Sequence, residues 1–384
     1  MAEKPEAITH EAVRDPTDKE WLISIFDVDG QQPDREAGSK HRIQKAPTKF
    51  REYEKDKKYF DPRVVSLGPY HHGKDLLKPM EKYKITAAKQ FFDRFTNVTG
   101  GMGGIYKKFK ELTGKLKELY DAEVVANKSD DVFARMMFLD GCFVLHFISN
   151  DLIPLIVRDM FLLENHLPLL VLDALMSLRF DSNKKLKGKI VKFIEWEVLL
   201  PMGLSFFIPH WWFTGRRDDD PLHLLDAFQT MLLGSHPSNP NKKYRYRLHN
   251  FGSVMELKEV GIMFEKSDSG YLTEIRFKEY FFFPWLLLPS IVINDVTISQ
   301  LLNLTSFKMC SDIHSGYGVT SNICSLDSLI NHGVDVKELQ SKGILHHALD
   351  KVACLFNKWP IEMVNKHNVY GRVKIHMHLL PQSS

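Results

Sequence analysis

The chain is poor in the features that announce a compartment or a chemistry. Its 384 residues contain four cysteines, Cys142, Cys310, Cys324 and Cys354, and no C-x-x-C pair. That spacing excludes a dense disulfide framework and a paired-thiol metal or redox motif, so reduced, mostly buried thiols in a cytosolic compartment are expected. The N-terminal stretch MAEKPEAITHEAVRDPTDKE is polar and lacks the apolar centre of a secretory leader. No apolar run reaches the roughly 20 residues a membrane helix needs. The most apolar stretch, Phe281–Ile293, is broken by Pro284 and Pro289. Charge of one sign is also lacking: 51 Lys and Arg stand against 48 Asp and Glu, a net +3. So small an excess does not imply nucleic acid or anionic lipid as a general partner.

The common catalytic strings are missing too. The glycine cluster Gly100–Gly104 has no G-x-x-x-x-G-K-[ST] spacing, and Gly114-Lys115 lacks the upstream glycine, so a phosphate loop is excluded. The cluster reads as a flexible linker that stops the preceding helix. There is no G-x-S-x-G turn for a serine nucleophile. Cys142 sits in LDGCFVL, an apolar setting that raises a thiol's pKa and leaves it inert.

What remains is a helical body. Met80, Tyr83, Ala87, Phe91 and Phe95 fall at helical spacing after Pro79, and Ile105, Phe109, Leu112, Leu116 and Leu119 form an amphipathic stripe. Asp130 or Asp131 is placed to cap DVFARMMFLDGCFVLHFISN, which is apolar nearly all round and therefore central. The equally apolar DLIPLIVRDMFLLENHLPLLVLDALMSL is divided by Pro154 and Pro168. An exposed lysine-rich loop is expected at Asp181–Lys189, a helix at Phe193–Leu200, and a well-marked helix in DDDPLHLLDAFQTMLLG. Short runs in MELKEVGIMFEK, GYLTEIRFK and EYFFFPWLLLP predict a small antiparallel β element near 254–290. Helices resume at Thr297–Leu304, Ile323–Asn331 and Val334–Leu339. The fold class is thus mainly α, an irregular multi-helix globular body with that small sheet. A disordered tail is expected over residues 1–20, a body over 21–360, and an irregular tail over 361–384.

The candidate site residues are few. His71 and His72 lie near Glu81, and imidazole beside carboxylate serves acid–base or metal chemistry. Adjacent histidines point apart in extended chain and no third ligand stands at a recognisable spacing, so a turn with one ring bonded and one exposed is the plainer reading. His346-His347 and His376-x-His378 carry no stronger signal. Asp140, Glu164 and Asn165 are polar groups inside apolar runs and must be paired or hydrogen-bonded if buried. Arg135, Arg158 or the histidine turn are available partners. These residues read as an internal network, with a hydrolase-like polar site as the alternative. Lys242–Arg247 interleaves basic and aromatic side chains, as single-strand nucleic-acid binders do, within a turn-rich insertion that reads as a solvated loop. No metal and no cofactor is expected.

The ordered set RVVSLGPYHHG with MEKYK, FARMMFLDGCFVL, RDMFLLENHLPLLVLDAL, PLHLLDA, MELKEVGIMF, LLNLTSFKMC and SLINHGVDVKELQSKGIL resembles one plant family, that of domain of unknown function number 247. The set spans roughly Trp21 to Phe356. The resemblance implies a largely helical protein that recognises or scaffolds a protein partner rather than an enzyme, and it supplies no catalytic residues. Some grass members are linked to self-incompatibility, the recognition of self pollen. Members typically close with a conserved region and one hydrophobic membrane helix. Neither is found in this sequence, so a soluble variant or a truncated product is expected, cytoplasmic as the chain stands. His166 stands where the family usually has Gln in its L-E-N-Q-L-P string.

Overall fold

The structure is a computed structural model. It describes residues 42–51, 57–93, 101–149, 154–177, 184–204, 221–233, 252–268, 270–272, 275–280, 283–310 and 318–346. The expected tails, a helix that Trp21, Ile25 and Val28 on one face predict over TDKEWLISIFDV, most of the aromatic, irregular-reading MGLSFFIPHWWFTG, Lys242–Arg247, Cys354 and the histidines at 347, 376 and 378 lie outside those residues.

Thirteen α-helices are found among the described residues. The first, α1 (Lys78–Asp93), takes proline in its opening turn, where no intrahelical N–H bond is lost, and buries Ala87, Ala88 and Phe91. Tyr83, expected on that face, is half exposed and lies beside the rings of Phe143 and Phe147. Gly101, Gly103 and Gly104 of the glycine cluster lie in the first turn of α2 (Gly101–Lys110) instead of a linker. The first four N–H groups of a helix have no intrahelical partner anyway, so weak helix formers are tolerated there. The stripe expected as one helix breaks at Glu111 and Leu112 into α2 and α3 (Thr113–Lys117), yet Ile105, Phe109 and Leu116 are all buried.

A short α4 (Ala122–Ala126) leads to the central helix α5 (Asp130–Phe147). Its cap is Ser129, whose Oγ accepts from the Val132 N–H at 3.4 Å, one residue before the aspartates proposed for that role. Asp130 and Asp131 occupy the first turn, where carboxylates favour the helix dipole. Both prolines divide the next segment as expected. Pro154 opens α6 (Pro154–Asp159) and Pro168 immediately precedes α7 (Leu169–Ser177). Helices α5 and α7 approach closely because residue 141 is glycine. A Cβ there would stand 2.6 Å from Leu175 Cδ1 and from Val171 Cγ1.

The lysine-rich segment is helical from residue 184, against the loop expected. Leu186, Ile190, Val191 and Ile194 give α8 (Lys184–Ile194) a buried face beneath its lysines. It runs into a π-helical turn, Glu195–Leu199, that leaves Trp196 exposed. Helix α9 (Leu224–Leu233) follows Pro221.

The small sheet forms where expected, but it is mixed rather than antiparallel throughout. MELKEVGIMFEK is part helix: Ser253 and Glu256 make a reciprocal capping box for α10 (Val254–Glu259), and β1 (Met263–Lys266) follows. β2 (Arg276–Tyr280) pairs antiparallel with β3 (Phe283–Leu288), while β1 pairs parallel with β3 on its other side. A second, two-stranded parallel pair joins β4 (Ile291–Val292) to β5 (Leu345–His346). Helices α11 (Asp295–Cys310), α12 (Gly318–Leu329) and α13 (Gly333–Ser341) complete the body and run longer than their periodic cores. One continuous apolar core runs from Ile43 to Leu345. Each fully buried Phe or Leu in it contributes about 1.5–3 kcal/mol relative to exposure.

Candidate functional site

The signature segment 61–72 has almost no regular secondary structure, yet Val65, Ser66, Leu67 and His71 are buried. Buried backbone without a ladder needs other partners. Side chains from α1, α5, α6 and the segment after α6 supply them.

Asp159 does so at the head of the segment. Its Oδ2 accepts from three successive backbone N–H groups, Arg63 at 2.9 Å, Val64 at 2.7 Å and Val65 at 3.1 Å. Its Oδ1 accepts from Arg158 Nη1 at 2.7 Å. Arg158 also donates to the carbonyls of Lys58 and Asp61. Burial pushes the Asp159 carboxyl up, against the pull of those N–H groups and the guanidinium.

Asn165 follows. Its Oδ1 accepts from Leu67 N–H at 2.7 Å, and its Nδ2 donates to Val65 O at 3.0 Å and Asp159 O at 2.8 Å. A side-chain amide, with donor and acceptor on one plane, replaces the strand this segment lacks.

Lys84 and Asp140 close the other end. The lysine Nζ donates to Ser66 O and Glu81 Oε1, each at 2.6 Å, and forms an ion pair with Asp140 Oδ1 at 2.6 Å. Asp140 Oδ2 accepts from Gly68 N–H at 2.9 Å. Burial works against the Lys84 charge, but the two carboxylates outweigh it and hold the ammonium above its ordinary value. Burial pushes Asp140 up against Lys84 and the Gly68 N–H. Gly68 sits at φ +72, and a Cβ there would lie 2.7 Å from His166 O and 3.0 Å from Tyr120 Oη. The turn therefore requires glycine on two grounds.

Glu164 anchors a third corner. Its Oε1 accepts from Ala46 N–H at 2.9 Å, and its Oε2 lies 3.1 Å from Arg51 Nη2 and 3.7 Å from His71 Nε2. Burial pushes Glu164 up against the pull of Arg51. His71 is buried, neither ring nitrogen has a hydrogen-bond partner among the described residues, and burial lowers it to about 3. His72 is exposed and apart from the network.

Of the residues singled out in the sequence, His71, Glu81, Asp140, Glu164 and Asn165 thus border one segment, and His72 does not join them. They form three separate anchorages along it, not one constellation. Arg135, offered as a partner, is exposed, and Arg158 pairs with Asp159 rather than Asp140. Reading by composition missed Lys84, Ser66, Asp159 and Arg51. A lysine in an amphipathic helix looks solvent-facing; the signal that could have found it was its i+3 spacing from Glu81 on the face carrying Ala87 and Ala88. Asn303 of α11 was also missed. It holds Leu163 N–H and Tyr59 O, tying α11 to the same region. Among the described residues no group of three or more His, Cys, Asp or Glu could hold a metal ion.

The geometry defines a helical protein whose central irregular segment is fixed by buried polar side chains. The chain belongs to the DUF247 family, described as a plant protein of unknown function, whose model matches residues 43–378. It is similar to UPF0481 protein At3g47200 of Arabidopsis thaliana, 31% identical over 134 residues, covering 31% of this chain and 28% of that protein. It is also similar to Putative UPF0481 protein At3g02645 of Arabidopsis thaliana, 25% identical over 137 residues, covering 33% and 25%. The matches thus span about a quarter of the length of these curated relatives. No solved structure matches the chain. No helix among the described residues is long and apolar enough to cross a membrane.

Proposed function

We propose that this protein is a recognition or scaffolding module that binds a protein partner in a reducing compartment, the cytoplasm. One observation carries the reading. Three of the buried polar groups are engaged in joining chain segments: Asp140 holds Gly68 N–H and pairs with Lys84, the Asn165 amide is used at both ends, and Lys84 donates to Ser66 O and Glu81, while His71, with no partner on its ring nitrogens among the described residues, is closed off by burial. A general acid or base must reach a substrate proton, and these groups reach only backbone and each other. Exposed Trp196 and Phe283, 65% and 61% accessible, are side chains of the kind that anchor protein interfaces. The free thiols of Cys142 and Cys310 suit the compartment.

The test is affinity purification of the tagged chain from plant tissue, followed by reconstitution with the purified candidate partner. A stoichiometric complex that survives reconstitution is expected. Failure to reconstitute any complex, together with turnover of an ester, phosphate or glycoside panel that is lost in Glu164→Gln, would overturn the reading.

A further inference from the structure

His166 and His223 come from elements 57 residues apart in sequence and stack face to face, centroids 4.4 Å apart and planes within 4°. Both are buried, His223 completely. Phe307 of α11 packs edge-on against His223 at 4.8 Å. Parallel rings direct their lone pairs into separate planes, so the pair cannot chelate one metal ion.

The hydrogen bonds assign the His223 tautomer. Asp226 N–H donates to His223 Nδ1 at 3.1 Å, so Nδ1 carries the lone pair and the proton resides on Nε2. That bond caps the first turn of α9, and Leu222 N–H donates in return to Asp226 Oδ2 at 2.9 Å. The Nε2 atoms of both rings lack hydrogen-bond partners among the described residues. A second proton on His223 has only Nδ1 to go to. Adding it there removes the acceptor of the Asp226 N–H and leaves two donors facing each other.

Burial opposes that charge first, and the charged neighbours divide, Asp226 favouring it and Lys308 opposing it. His166 lies flat against the ring and would repel it if charged. On α11, Lys308 disfavours protonation of His223. Asp226 favours it, but its Oδ2 is engaged by Leu222 N–H. Tyr120 donates to the His166 carbonyl at 2.8 Å, with Met137 Sδ 4.0 Å from the same hydroxyl, and is itself held neutral by burial.

We propose that the His166–His223 stack is an acid-sensitive latch that holds the N-terminus of α9 on the segment carrying Asn165, and that protonating either ring releases it. Besides the stack, the two elements are joined by Leu169 N–H donating to Leu222 O at 2.8 Å and, one turn further along α9, by Phe161 packed edge-on against Phe228 at 5.6 Å. Release at the stack exposes the first turn of α9, with Leu224 and Leu225, while Phe228 stays packed on Phe161 and the Lys84 and Asp140 anchorages of segment 61–72 stay closed.

The sign follows from burial first, which lowers His223 from 6.5 to about 4, and lowers His166 well below its ordinary value. A ring neutral when closed and protonated when open favours opening as pH falls below about 6.5. For His223 alone the opening equilibrium rises about 20- to 30-fold between pH 7 and pH 5.

Native-state hydrogen exchange, corrected for intrinsic rates, tests this on the full chain. His223→Ser keeps a side-chain oxygen to cap α9, and His166→Gln in the same chain removes the second titrating ring. The wild type is expected to open α9 at least about 20-fold more at pH 5 than at pH 7, and the doubly substituted variant less than threefold. An equal rise in the two proteins, or no rise in the wild type, overturns the proposal. Imidazole NMR on the wild type supplies a check that needs no variant: a His223 pKa near 6.5 overturns the latch, and one near 4 supports it.

Discussion

Lys84 and Asp140 meet at 2.6 Å with side chains 0% and 1% exposed, and neither faces water. Their backbone partners, Ser66 O and Gly68 N–H, sit either side of Leu67, so the pair grips one tight turn from two helices. Two ions so placed cost desolvation energy that their attraction and added hydrogen bonds must offset. Their effect is to fix a conformation that the backbone of segment 61–72 does not hold by itself.

Asn165 is the most demanding single position. Asn165→Leu removes three hydrogen bonds and strands Leu67 N–H, Val65 O and Asp159 O away from water. An unsatisfied buried group costs about 1–3 kcal/mol. A loss of about 3–5 kcal/mol is expected, read from the urea midpoint at constant m. A loss below about 1 kcal/mol would show that the amide is not the segment's main tie.

Gly68→Ala is expected to cost about 1–3 kcal/mol, because φ +72 is strained for alanine and the new Cβ meets a backbone carbonyl that cannot rotate aside. Gly73 has φ +87 but open space around it, so Gly73→Ala should cost less than Gly68→Ala. Thermal melts of the two variants check the order.

His71 makes stability fall with acid. Burial first, then Lys74, lowers its folded pKa to about 3, while the unfolded ring titrates near 6.5. The unfolded state thus binds the extra proton between those values. The contribution is fully present above about pH 6.5 and is lost as pH falls toward 3, reaching about 1–2 kcal/mol lost at pH 5. His71→Gln should flatten that part of the curve, measured by denaturation at pH 7 and pH 5; an unchanged slope would contradict it.

Cys142 is completely buried and its thiol is pushed far above the ordinary value by burial and by Asp140. Iodoacetamide at pH 8 should leave it unlabelled in the native protein and label it in urea, as peptide mass mapping would show. Fast native labelling would mean that α5 opens or packs differently.

Much of the helical body was legible because its signals are local. Pro154 and Pro168 divide helices wherever they occur, and the apolar circumference of α5 requires a central position. The network was half legible. Asp140, Glu164 and Asn165 stood out as polar residues in apolar runs, but Lys84, Ser66 and Asp159 did not, since their roles depend on contacts 15 to 96 residues away. The direction of β1 was not legible either, because a four-residue strand carries no mark of whether its partner runs parallel. Glycines at a helix start and lysines over a buried face misled for the same reason: propensity is weak beside tertiary packing.

The most direct test of the central claim, that these buried polar groups serve as structure rather than chemistry, is a double-mutant cycle on Lys84→Met and Asp140→Leu, read by urea denaturation. Lys84→Met should cost about 3–5 kcal/mol by leaving the Asp140 charge unpaired, Asp140→Leu should cost less because Glu81 still faces Lys84, and the double variant should cost less than the two single costs summed. Additive costs, or singles that leave stability unchanged, would contradict the account.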